Sequence, residues 1–391
     1  MAPWFELMEK RLNVNKWQAA PNANNQVLTD GCDKMGYSWK TIPRNVKGCW
    51  DLGYCGTGCP TNAKQSMLVT TIPETLNNNG ELVFRAQAHQ LLLNGDNVEG
   101  VLCKAMHEDG VTYTGKIITI KAKHTVMACG GINGPGLLLR SDVPDPKDLI
   151  GKRTFLHPVT FSVSEFANEI AGYYGAPQST YSDHFQWIHG ATGPISYKLE
   201  VNPMQPALMA AVIMGHGKQH REQMTMLPRM NSMIALLRDG FDEQSQGGCI
   251  ELRNDDSPVV DYEFNDYLKD GLKRSLITMA EVQFAGGAKR VRPVHTRSDF
   301  ATTLAGAKAQ INQLDFSPNA IRVGSAHVMG GCAMGANESE GVVDAMGQSF
   351  HLNNLSIMDG STFPTSIGAN PQLSIYGMVA KQATALAKNL T

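Results

Sequence analysis

Long apolar runs are missing. The longest, Ala207 to Met214, has eight residues in a chain of 391, far short of the ~18 that a membrane-spanning helix requires. No span is expected. An excess of charge is missing too, since 34 Lys+Arg against 36 Asp+Glu leave a formal net charge of -2. No Lys/Arg run forms the phosphate-neutralising stripe of a nucleic-acid binder, so no nucleic-acid partner is expected. Cysteine is scarce at eight residues, which rules out a disulfide scaffold. Met1 to Asn15 are polar and lack the apolar centre of a signal peptide. A soluble, unexported chain is the expectation, with cytoplasmic or periplasmic location left open.

At ~150 residues per domain the length predicts two to three domains. The first fifty residues, with Pro21, Asn22, Asn24 and Asn25, predict an irregular surface or cap segment around one short helix near Phe5 to Leu12. From Glu81 the pattern alternates through Leu82, Phe84 and Ala86, then Val98, Val101 and Cys103, then Ile117 to Lys121, which predicts strands. Thr125 to Cys129 reads as a buried strand that turns through Gly130-Gly131 into a helix containing Leu137 to Leu139. Between Phe161 and Gln313, short strands such as Ala207 to Met214 and Ile250 to Arg253 precede a helix over Phe264 to Ala285. Leu268, Leu272, Leu276, Met279 and Gln283 line its buried face, and Gly286-Gly287 supplies the stop. Strands followed by a helix predict an antiparallel layer covered on one side. A last amphipathic helix runs from Pro371 to Leu390, with Tyr376, Val379, Ala383, Leu386 and Leu390 inward. There is no internal repeat.

Two stretches carry chemistry. Asn370-Pro371-Gln372 starts the last helix with a strong N-cap and a proline whose φ is preset, so it reads equally as a plain cap. The small, polar run Asp359 to Ala369 before it lets a ligand approach the backbone, and a helix N-terminus there attracts negative charge. In Gly324 to Gly335, His327 stands among glycines without a second ligand at metal spacing, a setting that suits a general base. A lone histidine is also compatible with a structural role.

Read together, these stretches resemble the glucose-methanol-choline (GMC) oxidoreductases, flavoenzymes that oxidise alcohols. The resemblance rests on the His327 segment, Gly341 to Asp344, Asn354 to Ser361 and Asn370-Pro371. It continues in Val126 to Ser141, His157-Pro158, Arg44-Asn45 and Cys55 to Ser66, and is weakest from Ala167 to Gln313. It implies an α/β, Rossmann-like FAD-binding domain with an α+β, antiparallel-sheet substrate domain. The expected segments are a cap and cofactor loop over residues 1–66, flavin-domain parts over 67–160 and 321–391, and a substrate domain over 161–320. His327 would take the proton of a primary or secondary alcohol while hydride passes to flavin N5, and Asn370 would hold the same oxygen. Pro371 and Gln372 would face the flavin, Asp359 and Gly360 the ribityl and pyrophosphate portion, Ala128 and Gly130 the adenosine side, and Ala88 the adenine.

One family feature is absent. No G-x-G-x-x-G occurs, since Gly56-Thr57-Gly58 and Gly215-His216-Gly217 both lack the third glycine. The chain therefore reads as a C-terminal two-thirds lacking the N-terminal FAD-binding βαβ unit, its fold incomplete.

Cys49, Cys55 and Cys59, spaced C-x5-C-x3-C before Pro60, are candidate ligands for a small iron-sulfur cluster, or for zinc with Cys32 as a fourth. Family dehydrogenases that pass electrons to a cytochrome subunit carry a similar arrangement, which implies a [3Fe-4S] relay, whereas other relatives hold such a stretch without a cluster. Cys103, Cys129, Cys249 and Cys332 read as buried thiols. His216 and His220 read as a strand end and turn, Asp183, His184 and His189 as a solvated loop, and Met204 to Met233 as core or pocket lining. Oxygen, a quinone or a cytochrome could accept the electrons. A hydroxynitrile-lyase-like activity and a non-catalytic homologue are the alternatives, and the alcohol and oligomeric state stay open.

Overall fold

The computed structural model describes residues 1–390. Its antiparallel sheet orders Arg290–Pro293, Val159–Glu165, Met230–Arg238, Ser196–Val201, Thr180–Ser182 and Lys40–Thr41, with Val323–Gly324 paired to the start of Val159–Glu165. The two central strands, Ser196–Val201 and Met230–Arg238, are buried along their whole length. Side chains alternate across a strand, so burial of every residue means that both faces are covered. Tyr197, Leu199, Val201, Met233, Ala235 and Leu237 face one core together with Leu272, Leu276 and Met279 of the Asp266–Ala285 helix. Lys198, Glu200, Ile234 and Leu236 occupy the alternate positions, and the register pairs Lys198 with Leu236 and Glu200 with Ile234. Two charged residues thus sit on the face turned away from the Asp266–Ala285 helix.

The Asp266–Ala285 helix starts as its sequence directs, with the Asn265 side chain accepting the Leu268 amide. Gly271 is required by packing rather than by a turn, because an added Cβ would come 1.7 Å from Ile195 Cγ2. The left-handed step after the helix falls at Gly287, with φ +102°, rather than at Gly286. A second core gathers Leu91, Val98, Met127, Leu137, Leu138, Val343, Leu355 and Ile357. It joins the meander Ala86–Asn94, Asn97–Met106 and Tyr113–Lys121 to the Gly130–Arg140 helix and to the parallel pair Thr125–Met127 and Leu355–Ile357.

Several expectations need correction. Ala207 to Met214 is no strand, since Pro206–Val212 is a helix with Pro206 in its first turn, and a short apolar run does not by itself distinguish the two. His216 caps and His220 lies within the Gly217–Thr225 helix. The first fifty residues hold two helices, Ala2–Arg11 and Ala23–Met35. The second buries Val27, Leu28 and Cys32 in the core beneath the sheet, so it is no surface cap. The meander's first strand begins at Ala86, leaving Leu82 and Phe84 outside it and exposed. Among the described residues no helix is long and apolar enough to cross a membrane.

Leu272 is fully buried where the helix meets the sheet. Leu272→Ala should lower stability by ~2–5 kcal/mol through lost burial and a cavity, read as a drop in the urea midpoint. An unchanged midpoint would contradict this packing.

Candidate active site

The segment carrying His327 is laced to the segment carrying His157. Phe155 and Met329 exchange backbone hydrogen bonds at 2.7 and 3.0 Å, and Ser325 Oγ donates to the Leu156 carbonyl. Nδ1 of His157 consequently lies 2.9 Å from Nδ1 of His327, with the rings stacked at 5.1 Å. His157 adopts φ +52°, a left-handed backbone that costs a non-glycine residue on the order of 1 kcal/mol or more and tends to mark functional sites. Burial pushes its imidazole down to about 3, helped by the charges of His327 and Lys198. His327 is lowered as well, chiefly by burial, with Glu200 pulling it up and Lys198 pushing it down.

At neutral pH both rings are therefore uncharged, and one Nδ1 donates to the other. His157 Nε2 is buried without a partner. When His327 carries its proton on Nδ1, His157 accepts it and Nε2 of His327 keeps a free lone pair. That tautomer is the one able to accept a further proton.

Lys198 connects this pair to Asn370. Its ammonium donates to Asn370 Oδ1 at 2.7 Å, lies 2.8 Å from Glu200 Oε1 and sits 4.2 Å from the centre of the Tyr181 ring. Glu200 is fully buried, and its other oxygen accepts from Gln178 Nε2 at 2.9 Å. An ammonium has only donors, so the Asn370 oxygen must face it and the amide nitrogen must point away. Asn370 is exposed, so that nitrogen is available to a ligand. The loop before it is tied down by Ser366 Oγ, which donates to the Asp239 carbonyl at 2.6 Å, and by Gln186 Nε2, which donates to the Gly368 carbonyl. The helix itself runs Gln372–Leu390, with Pro371 buried and the Gln372 amide donating to Tyr376 rather than outward.

The residues expected at a dinucleotide gather on a second edge. Gly130 has φ +76° and nothing within 4 Å of an added Cβ, so a ligand can lie against its backbone. Its amide donates to Asp359 Oδ2 at 2.8 Å, and Asp359 Oδ1 accepts from the Ser361 amide and hydroxyl. Asp359 thus braces the turn that opens the Gly130–Arg140 helix, whose Cys129 cap gives no side-chain hydrogen bond. The first-turn amides after Gly130 have no side-chain cap, and with the open Gly130 backbone they fit a dinucleotide such as FAD. Gly360 and Ala128 adjoin this turn, whereas Ala88 packs against the second core.

The cysteines behave differently from one another. The Asp51 amide donates to Cys49, the Arg44 guanidinium approaches Cys55 at 3.5 Å, and Cys59 bonds to Thr61 and to the Ala63 amide. Among the described residues the one trio with ligand atoms mutually within 4.8 Å is Cys249, Glu251 and Asp261, so Cys49, Cys55 and Cys59 do not converge on a single ion. Of the four cysteines expected to be buried, Cys103 and Cys332 are, while Cys129 and Cys249 are half-buried. Sequence reading missed Lys198, Glu200 and the pairing of His157 with His327. A charged Lys-x-Glu on one face of an apolar strand was the available signal.

GMC oxidoreductase family models match residues 1–159 (the N-terminal model) and 244–379 (the C-terminal model). The N-terminal model matches without a G-x-G-x-x-G, so the expectation that the chain lacks the N-terminal unit is not supported. Long-chain-alcohol oxidase FAO1 of Arabidopsis thaliana is 26% identical over 94% of this chain and 50% of its own length. The 6'''-hydroxyparomomycin C oxidase of Streptomyces lividus is 24% identical over 100% of this chain and 71% of its own. The chain spans about half the length of the long-chain-alcohol oxidases that it matches. Among solved structures, a formate oxidase variant of Aspergillus oryzae, studied for modification of its FAD, superposes with TM-score 0.68 at 13% identity, covering 94% of this chain and 71% of its own. Pyridoxine 4-oxidase of Mesorbium loti gives TM-score 0.62 at 13% identity, over 95% and 71%. At this identity the likeness shows a shared mixed α/β fold.

A histidine held neutral by the fold makes the native state bind fewer protons than the unfolded chain between the two pKa values. Stability contributed by His157 is complete above ~6.5 and is lost as pH falls towards 3, by up to ~1.4 kcal/mol per pH unit. Urea denaturation from pH 7 to 4.5 should show this slope in the wild type and a shallower one in His157→Gln. Equal slopes would contradict a buried neutral His157.

Proposed function

This chain belongs to the GMC oxidoreductase family, and we propose that it binds FAD and oxidises a primary or secondary alcohol, with His327 as the base. The observation that carries this reading is the neutral His327–His157 pair beside an asparagine amide whose donor side is turned outward. His327 accepts the hydroxyl proton on Nε2 while its Nδ1–H is held by His157. The imidazolium so formed keeps that hydrogen bond, and Glu200, which acts on His327 through space, favours its charge. Asn370 Nδ2 donates to the substrate oxygen as negative charge develops there, with Lys198 preventing the amide from flipping. When bound, FAD supplies the two-electron acceptor for the hydride that leaves the carbinol carbon, and the product is an aldehyde or ketone.

Ala128, Gly130, Asp359 and Gly360 would hold the cofactor on one edge, and Pro371 and Gln372 on the other, with Ala88 further off. Support for this division comes from the open backbone at Gly130 and from the bracing of its amide by Asp359. An iron-sulfur relay forms no part of the proposal, because Cys49, Cys55 and Cys59 each have separate partners.

Two measurements test it. The purified chain should show flavin absorption bands, and an anaerobic alcohol should bleach them. His327→Ala should retain the bands and slow the bleaching by at least ~10²-fold. Unchanged bleaching in that variant would remove His327 from the role. Bands that no alcohol bleaches would favour the lyase-like reading, and a colourless protein the non-catalytic one.

A further inference from the structure

A cavity of about 170 Å³ lies at the end of the Met230–Arg238 strand, where Asp239 meets the backbone of His157. Asp239, Ser245, Tyr262 and Tyr267 are among its walls, and no lysine, arginine or histidine lines it. Asp239 is 1% exposed. Its Oδ2 accepts from the Tyr262 hydroxyl, and its Oδ1 is buried without a well-formed hydrogen bond, the Ser366 hydroxyl and the His157 amide being the donors near the carboxyl. A buried carboxylate with one poorly paired oxygen is expensive unless a positive charge meets it.

The neighbouring cation does not supply that charge. Arg238 turns the other way, donating to the Gly190 and Ala191 carbonyls at 2.6 and 3.2 Å and stacking 4.2 Å over Trp187. The cavity wall is rich in oxygen. Tyr262 and Tyr267 spend their protons on Asp239 and on the Gly193 carbonyl, which leaves their lone pairs free, and Ser245 Oγ accepts from the Gly240 amide. Hydroxyl, phenol and carboxylate oxygens, joined in the wall by the side-chain amides of Gln244, Gln246 and Asn265 and by no sulfur, are ligands for a hard cation. Glu263, the other carboxylate of the wall, is exposed to solvent, so the buried charge to be matched is a single one. The volume admits an ion together with several waters at ~30 Å³ each.

We propose that this cavity binds one monovalent inorganic cation, Na⁺ or K⁺, through Asp239 Oδ1 and the surrounding hydroxyl oxygens. Burial raises the Asp239 carboxyl to about 6, so it is mostly ionised at neutral pH and able to hold the ion. The ion would reinforce the place where the site's loops are tied. The Asp239 carbonyl accepts from Ser366, on the loop leading to Asn370, and the Leu237 amide donates to the carbonyl of Pro158, next to His157. The proposal stands independently of the activity proposed above.

Thermal unfolding of the full chain tests it at equal ionic strength in NaCl, KCl or N-methylglucamine chloride. At a concentration about tenfold above Kd, Na⁺ or K⁺ should raise Tm by roughly 2 °C over N-methylglucamine, and the increment should vanish in Asp239→Asn. Wild-type crystals soaked in rubidium chloride give a direct reading that needs no variant, namely an anomalous peak beside Asp239 Oδ1. Equal Tm in the three salts together with no rubidium peak would overturn the site and leave a water-filled cavity. A cation increment that persists undiminished in a folded Asp239→Asn would overturn the assignment to this carboxylate.

Discussion

The ion pair of Lys198 and Glu200 is the constraint on which the rest of the site depends. Removing two charges from water costs free energy that their attraction barely returns, so such a pair is weak evidence for stability. Its worth here is geometric. Glu200 is buried and held by Gln178, so the ammonium has one place to be, and from that place it dictates which atom of Asn370 faces the site. Strand alternation does the rest, because residues 198 and 200 share the face opposite the Asp266–Ala285 helix.

The same ammonium works on the histidines through space. It disfavours protonation of both imidazoles, while Glu200 favours it at His327 alone. Burial is the larger influence on each ring. The two histidines are thereby set apart, His157 as an uncharged brace and His327 as the ring able to take up charge. A base must be neutral before it acts and stabilised after it, and this arrangement serves both states.

Much of this was legible in the sequence. The Asp266–Ala285 helix followed from its apolar spacing, and the strand, glycine turn and helix around Gly130 from the break in periodicity. His327 and Asn370 stood out as candidates because glycines and a cap-proline pair are local signals. Lys198 was not, since its meaning depends on a register with Met230–Arg238 and on a loop more than 170 positions away in sequence. The left-handed backbone of His157 leaves no trace in residue type. The Ala207 to Met214 run misled because periodicity cannot separate a short buried strand from a short helix, and Ala, Leu and Met favour the latter. The missing G-x-G-x-x-G gave no support to the expected loss of the N-terminal unit, since the N-terminal family model matches residues 1–159 without it.

The central claim is that the fold presents an uncharged His327 braced by an uncharged His157. Titration of the ring nitrogens by ¹⁵N NMR, with His157→Gln and His327→Gln to assign the signals, tests it most directly. The account predicts that both rings take up a proton only below the pH at which an ordinary histidine is half protonated, about 6.5, His157 far below it, with a proton shared between their Nδ1 atoms. Two rings that titrate independently near pH ~6.5 would contradict it.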